Sequence, residues 1–208
     1  MTTLGPPAVV TAGSANPDAP LVVLLHGRGS SETDIIGLAP HLVDGPAYAA
    51  VRGPLDVGGG YAWFANRGIG RPVAESLRET MDWFRQWLDD VAADDRPVVL
   101  VGFSGGAAFA GGLVLDDPAR YAGTAVLYGT LPFDAGVPVD PGRLERRRVF
   151  VAQGDADTVI PRDLLDRTWA YLHDGSGADL TAHRDPGGHE LTSDTVASLR
   201  TWLAAVLT

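Results

Sequence analysis

Apolar and polar positions alternate in blocks along this chain. Residues 20–27 read PLVVLLHG, a short apolar run that ends in glycine. The same texture returns at 97–103 (PVVLVGF), 123–129 (GTAVLYG) and 148–154 (RVFVAQG). Runs that are apolar on both faces suit parallel strands buried between helical layers. Weaker runs at 47–53 and 179–184 read as further strands, and 8–13 as an edge strand. The segments between have a different period. Over 73–92, Leu77, Met81, Phe84, Leu88 and Val91 recur at spacings of three and four, one face of a helix. Pro72 fits its first turn. Residues 162–173 carry Leu165, Trp169 and Leu172 on one face, and 193–207 carry Val196, Leu199, Leu203 and Val206. A shorter helix is expected over 32–43, and another begins directly after Ser104.

Strand and helix alternate, which predicts one α/β domain over residues 1–208 with a mostly parallel central sheet and helices on both faces. The irregular stretches 52–72 and 130–147 are rich in Gly or Pro, and loops of that length are often functional. In such a sheet ligands bind at the carboxyl ends of the strands. The residues just after each apolar run therefore carry the chemistry.

Composition works mainly by exclusion. The 208 residues hold 26 acidic and 16 basic side chains, a net charge of −10. A field of that sign disfavours nucleic acid and anionic membrane surfaces as partners. There is no cysteine, hence no disulfide, thiolate site or cysteine nucleophile. Every basic residue is Arg and none is Lys, which removes Schiff-base chemistry and a P-loop lysine. The N-terminus, MTTLGPPAVV, lacks the basic and apolar regions of a signal peptide, and no stretch reaches the length of a membrane span. A cytoplasmic protein is expected. The 5 histidines are scattered, without HxxxH or HExxH spacing, so neither a metal nor a cofactor is expected.

Residues 102–106, Gly-Phe-Ser-Gly-Gly, fit G-x-S-x-G. The pattern alone is weak in a chain with 26 glycines. Its surroundings strengthen it: VVLVGF precedes and AAFAGGLVL follows, the strand–turn–helix context of a nucleophile elbow. Ser104 is the candidate nucleophile, and it needs a base. His26 lies in HGRG and reads as a brace for that loop. His41 and His173 lie on helical stretches and His183 on a strand. His189, in DPGGHE before the last helix, suits the chain order Ser, Asp, His. The carboxylate that orients it belongs after a strand, and GDADTVIP offers both Asp155 and Asp157. An oxyanion hole needs two N–H donors. The elbow supplies Gly105, and the loop HGRGSS supplies Arg28 through its backbone. Among the aromatics of GGGYAWFANRG, Trp63 and Phe64 read as an apolar substrate wall, or else as core filling. Phe103, Leu131 and Phe133 are further wall candidates by position. Arg146, Arg147 and Arg148 read as a solvated strand entrance.

LLHGRGSSETDI, VRGP, YAWF, VGFSGGA, GDADTVIP and GGHE occur in this order. Together they resemble the phospholipase/carboxylesterase branch of the α/β-hydrolases, which includes acyl-protein thioesterases. The resemblance spans about residues 20–205. It implies an α/β-hydrolase fold with little or no lid, and through G-x-x-D-x-x-[VI]-P it selects Asp157 over Asp155. It implies a serine carboxylesterase acting on small or medium-chain esters through a Ser104, His189, Asp157 triad and an acyl-enzyme. The alternatives are a thioesterase, lysophospholipase or acyltransferase on the same site, or a binding protein with an idle triad. The expected partner is a small-molecule ester, and a homodimer is the expected assembly.

Overall fold

Each of the four continuous apolar runs becomes an interior strand of one sheet in the computed structural model, which describes residues 4–208. The first three residues of the N-terminal stretch read above for a leader lie outside the described residues. In chain order the strands are β1 (Val9–Gly13), β2 (Leu21–Leu25) and β3 (Ala47–Val51), then the short pairs β4 (Leu55–Val57) with β5 (Gly60–Ala62) and β6 (Asn66–Gly68) with β7 (Arg71–Pro72). They continue as β8 (Val98–Phe103), β9 (Gly123–Leu127), β10 (Arg148–Gly154) and β11 (Asp179–Asp185). The helices are α1 (Glu32–Ile35), α2 (Ala74–Val91), α3 (Gly105–Asp116), α4 (Arg162–Ala170) and α5 (Ser193–Val206). The central sheet has seven strands in the order β1-β3-β2-β8-β9-β10-β11. All neighbours run parallel except β1, which pairs antiparallel with β3 at one edge.

The pleat explains why the central runs must be apolar throughout. Alternate residues of a strand face opposite sides. Leu21, Val23, Leu25, Val98 and Leu100 pack into one core with Leu77 and Phe84 of α2 and Phe109 and Leu113 of α3. Val22, Leu24, Val99 and Val101 pack into the other with Leu199, Trp202 and Leu203 of α5. Burying each such side chain stabilises the fold by roughly 1.5–3 kcal/mol. Helix α3 shows no stripe at all: every residue from Gly106 to Leu115 is buried. A helix apolar all round is a buried helix, and its first residue follows Ser104.

Several boundaries differ from the sequence expectation. Pro72 sits in β7, opposite Asn66, rather than in the first turn of α2. Val73 is extended, its N–H donates to Ala65 O at 2.8 Å, and the helix starts one residue later. Val91, read as part of the buried stripe, is the last residue of the helix and is 41% exposed, beside an open hollow it shares with Val9 and Leu21. The helix expected over 32–43 is α1 followed by a 3₁₀ turn, Ile36–His41, with Pro40 inside it. Proline there lacks the N–H that an α-helical bond to Ile36 requires. The stretch 52–72, irregular by sequence, folds into the two short hairpins.

Candidate active site

The chain turns sharply between β8 and α3. Ser104 has φ 54° and ψ −111°, a conformation that costs a non-glycine residue roughly 1–3 kcal/mol. Its neighbours make the turn possible. A Cβ on Gly102 would lie 2.2 Å from Gly106 O, and one on Gly106 would lie 2.1 Å from Leu25 O. Only glycine lets the turn close and lets α3 start against the end of β2. The Ser104 hydroxyl is thereby lifted clear of the sheet edge.

Two loops from later strands converge on it. The loop after β11 brings His189 Nε2 to 2.8 Å from Ser104 Oγ. The loop after β10 brings Asp157 Oδ2 to 2.8 Å from His189 Nδ1. The Asp157 side chain is fully buried, and its Oδ1 accepts N–H bonds from Val159 at 2.8 Å and Ile160 at 3.0 Å. A carboxylate only accepts, so His189 carries its proton on Nδ1. Nε2 is then free to accept the Ser104 hydroxyl. Asp155 is exposed and lies 3.6 Å from Arg184, away from this chain of bonds. Burial thus separates two aspartates that spacing could not.

The loop after β2 supplies the other wall. Gly29 N–H donates to Tyr61 O at 2.8 Å and Tyr61 N–H to Ser30 O at 2.9 Å, so β5 holds the loop in place. Arg28 N lies 3.2 Å from where a Gly105 Cβ would be. Gly105 opens α3, and first-turn N–H groups have no partner within the helix. Arg28 and Gly105 therefore stand side by side as backbone donors next to Ser104.

His26 lies beneath this loop. Its Nδ1–H donates to Gly27 O at 2.7 Å and its Nε2 accepts from Gly53 N–H at 2.9 Å. Only a neutral ring satisfies both bonds, and burial pushes its pKa down. It is a brace, as its place in HGRG suggested. Sequence reading missed a second brace. The Arg52 guanidinium donates to buried Glu32 through Nε at 2.7 Å and Nη2 at 2.5 Å, and it lies 4.4 Å over the Tyr61 ring. The signal was present: Glu32 directly follows HGRGSS, and Arg52 is the charged member of VRGP. The bond from Arg52 holds the Glu32 carboxyl below the usual carboxylate range. A carboxyl depressed in the folded state stabilises it above the unfolded pKa, and that contribution is lost as pH falls through the folded value. Acid unfolding of Glu32→Gln, followed by circular dichroism, is expected to show a shallower loss of stability below the carboxylate range than wild type. Equal slopes would remove the pair from the account.

A pocket of about 450 Å³ opens at Ser104 and His189. Phe64, Phe103, Ile69, Val159 and Ile160 form much of its wall. The expectation for Phe64 and Phe103 agrees with this placement, whereas two others need correction. Trp63 is 1% exposed, stacks on Phe109 with centroids 4.5 Å apart, and donates its indole N–H to His26 O at 2.8 Å. Leu131, also 1% exposed, packs against α3 at Gly111. Both belong to the core. Phe64 is 3% exposed and belongs to the same core cluster as Trp63, but unlike Trp63 it also borders the pocket. Phe133 borders a neighbouring hollow with Arg67 and Arg71. Ile69 and Val159, which sequence reading did not single out, are 54% and 44% exposed at the pocket rim. Trp63→Ala is expected to lower unfolding stability by about 3–5 kcal/mol in a urea titration. A loss under about 1 kcal/mol would contradict its assignment to the core.

His173 and His183 bond to Trp169 O and Ser198 Oγ instead of facing Ser104. Among the described residues no group of three or more His, Asp or Glu is placed to hold a metal ion, and no helix is long and apolar enough to cross a membrane.

Residues 6–207 match the phospholipase/carboxylesterase family. The MhqD protein of Bacillus subtilis (strain 168), whose name describes a hydrolase, is 25% identical over 186 residues, 88% of this chain and 91% of that one. Acyl-protein thioesterase 1 of Kluyveromyces lactis is 27% identical over 175 residues, 74% of this chain and 76% of its own. The crystal structure of the Bacillus cereus carboxylesterase superposes with a TM-score of 0.83 at 23% identity, covering 96% of this chain and 94% of that one.

Proposed function

The chain belongs to the phospholipase/carboxylesterase family of α/β-hydrolases, and from that premise we propose that it is a serine carboxylesterase working through Ser104, His189 and Asp157. The observation that carries this reading is the unbroken chain Ser104–His189–Asp157, with both contacts at 2.8 Å, at the mouth of a pocket.

His189 Nε2 takes the hydroxyl proton as Ser104 Oγ attacks the ester carbonyl. Asp157 stays ionised, holds the ring and stabilises the imidazolium. The N–H groups of Arg28 and Gly105 receive the oxyanion of the tetrahedral intermediate. When it collapses, His189 returns the proton to the departing alcohol and the acyl group remains on Ser104. A water then gives a proton to Nε2 and attacks the acyl carbon. A second collapse frees the acid and restores the serine. No step requires a cofactor.

The wall of Phe64, Phe103, Val159 and Ile160 supports an apolar acyl or aryl group, and a pocket of about 450 Å³ suits a small molecule. Each methylene that enters such a wall is worth about 0.8 kcal/mol, or roughly a fourfold gain in kcat/KM. With p-nitrophenyl esters from acetate to dodecanoate, kcat/KM is expected to climb through the short chains and to fall by dodecanoate. A flat series would dissociate this wall from substrate. The relative named acyl-protein thioesterase favours a second reading, thioester hydrolysis on the same serine. Matched oxygen and sulfur esters of the preferred acyl group decide between them.

A further inference from the structure

We propose that Asp185 is a positioning residue for His189, held by the hydroxyls of Tyr128 and Thr195. The inference rests on the serine-hydrolase reading above.

Asp185 ends β11, four residues before His189, and is 6% exposed. Its Oδ1 accepts the Gly187 N–H at 2.8 Å, inside the loop that carries His189. Its Oδ2 accepts the hydroxyls of Tyr128 and Thr195, which also contact each other at 2.7 Å. Burial alone would raise this carboxyl, but the bonds from Tyr128, Gly187 and Thr195 outweigh burial and hold it below the ordinary range. An ionised group held by three such bonds is a rigid post.

The same post reaches the loop that carries Asp157. Asp155 N–H donates to Asp185 O at 2.8 Å, and Ala156 N–H donates to Gly187 O at 2.9 Å. The base and its carboxylate partner are therefore set relative to each other by bonds that meet at 185–187. Tyr128 completes the arrangement from the sheet. It directly follows β9, is fully buried, and has φ 47°, a conformation a tyrosine adopts only under constraint. Its ring lies 6.0 Å from Phe103, whose ring lies 5.2 Å from His189. Strain at Tyr128 and three bonds on Asp185 thus converge on one imidazole.

Displacing a reacting group by about 1 Å can cost roughly 100-fold in rate. Asp185→Ala is expected to lower kcat by about 10- to 100-fold, with KM changed far less, since the pocket wall is untouched. It should also shift or broaden the His189 Nδ1 proton resonance. Asp185→Asn should recover most of kcat, because an amide can still accept from Gly187 and bond to both hydroxyls. Tyr128→Phe keeps the ring and should lose several-fold in kcat; it decides the matter if Asp185→Ala does not fold. Wild-type kcat in folded Asp185→Ala, or in Tyr128→Phe when that variant must decide, overturns the inference, as does a loss that merely follows the folded fraction. Ser104→Ala is assayed alongside. If it is inactive while Asp185→Ala is wild type, only this inference falls. If it is fully active, the serine-hydrolase reading falls and this one with it.

Discussion

Ser104→Ala is expected to reduce kcat for ester hydrolysis by about 10⁶ while leaving the fold intact. The size follows from what the hydroxyl does: without Oγ no acyl-enzyme forms, and His189 has no proton to take. The residual rate is not zero. Backbone donors and binding alone leave about 10³–10⁴ over water in comparable enzymes. The thermal midpoint should barely move, since one oxygen is lost and the strained backbone at φ 54° is kept. A fluorophosphonate probe read by intact mass should add once to the wild type and not to the variant. Retention of a tenth of the wild-type rate would place the nucleophile elsewhere.

Asp157→Asn should cost about 10⁴ in kcat, and the reason is a tautomer. Asp157 Oδ1 accepts the N–H groups of Val159 and Ile160 at 2.8 and 3.0 Å. An asparagine keeps those bonds only with its carbonyl oxygen at Oδ1, which turns the NH₂ toward His189. Nδ1 must then accept, the ring proton moves to Nε2, and Nε2 can no longer receive the Ser104 proton. Packing is preserved, so stability should change little beside activity. Asp155→Asn is the matched control. Asp155 is solvent-exposed and pairs with Arg184 across 3.6 Å, so its kcat should stay within about twofold, as for most surface substitutions. Comparable losses in both variants would sink the assignment of the third member.

Much of this architecture was legible along the chain. Runs such as LVVLL and VVLVGF leave no polar face, and only a strand with helices on both sides buries every position. The elbow was legible because its constraint is local: Gly102 and Gly106 are needed within two residues of Ser104. His189 was legible from its place after the last strand. The boundary of α2 was not, because Val73 is held extended, its N–H bonded to Ala65 O just before β6, and the helix starts only at Ala74.

Sequence by itself thus determined the strand–helix alternation and the glycine-flanked elbow at Ser104. These depend on neighbouring residues, whose periodicity and conformational limits act over a few bonds. Tertiary structure decided which aspartate turns inward, that Phe64 reaches the pocket from the core cluster it shares with Trp63 while Trp63 does not, and that Arg52 closes on Glu32 across 20 positions. Those outcomes depend on how loops from β2, β3, β10 and β11 meet at one sheet edge. Such meetings are set by many weak contacts summed over the whole chain, which no short window of sequence contains.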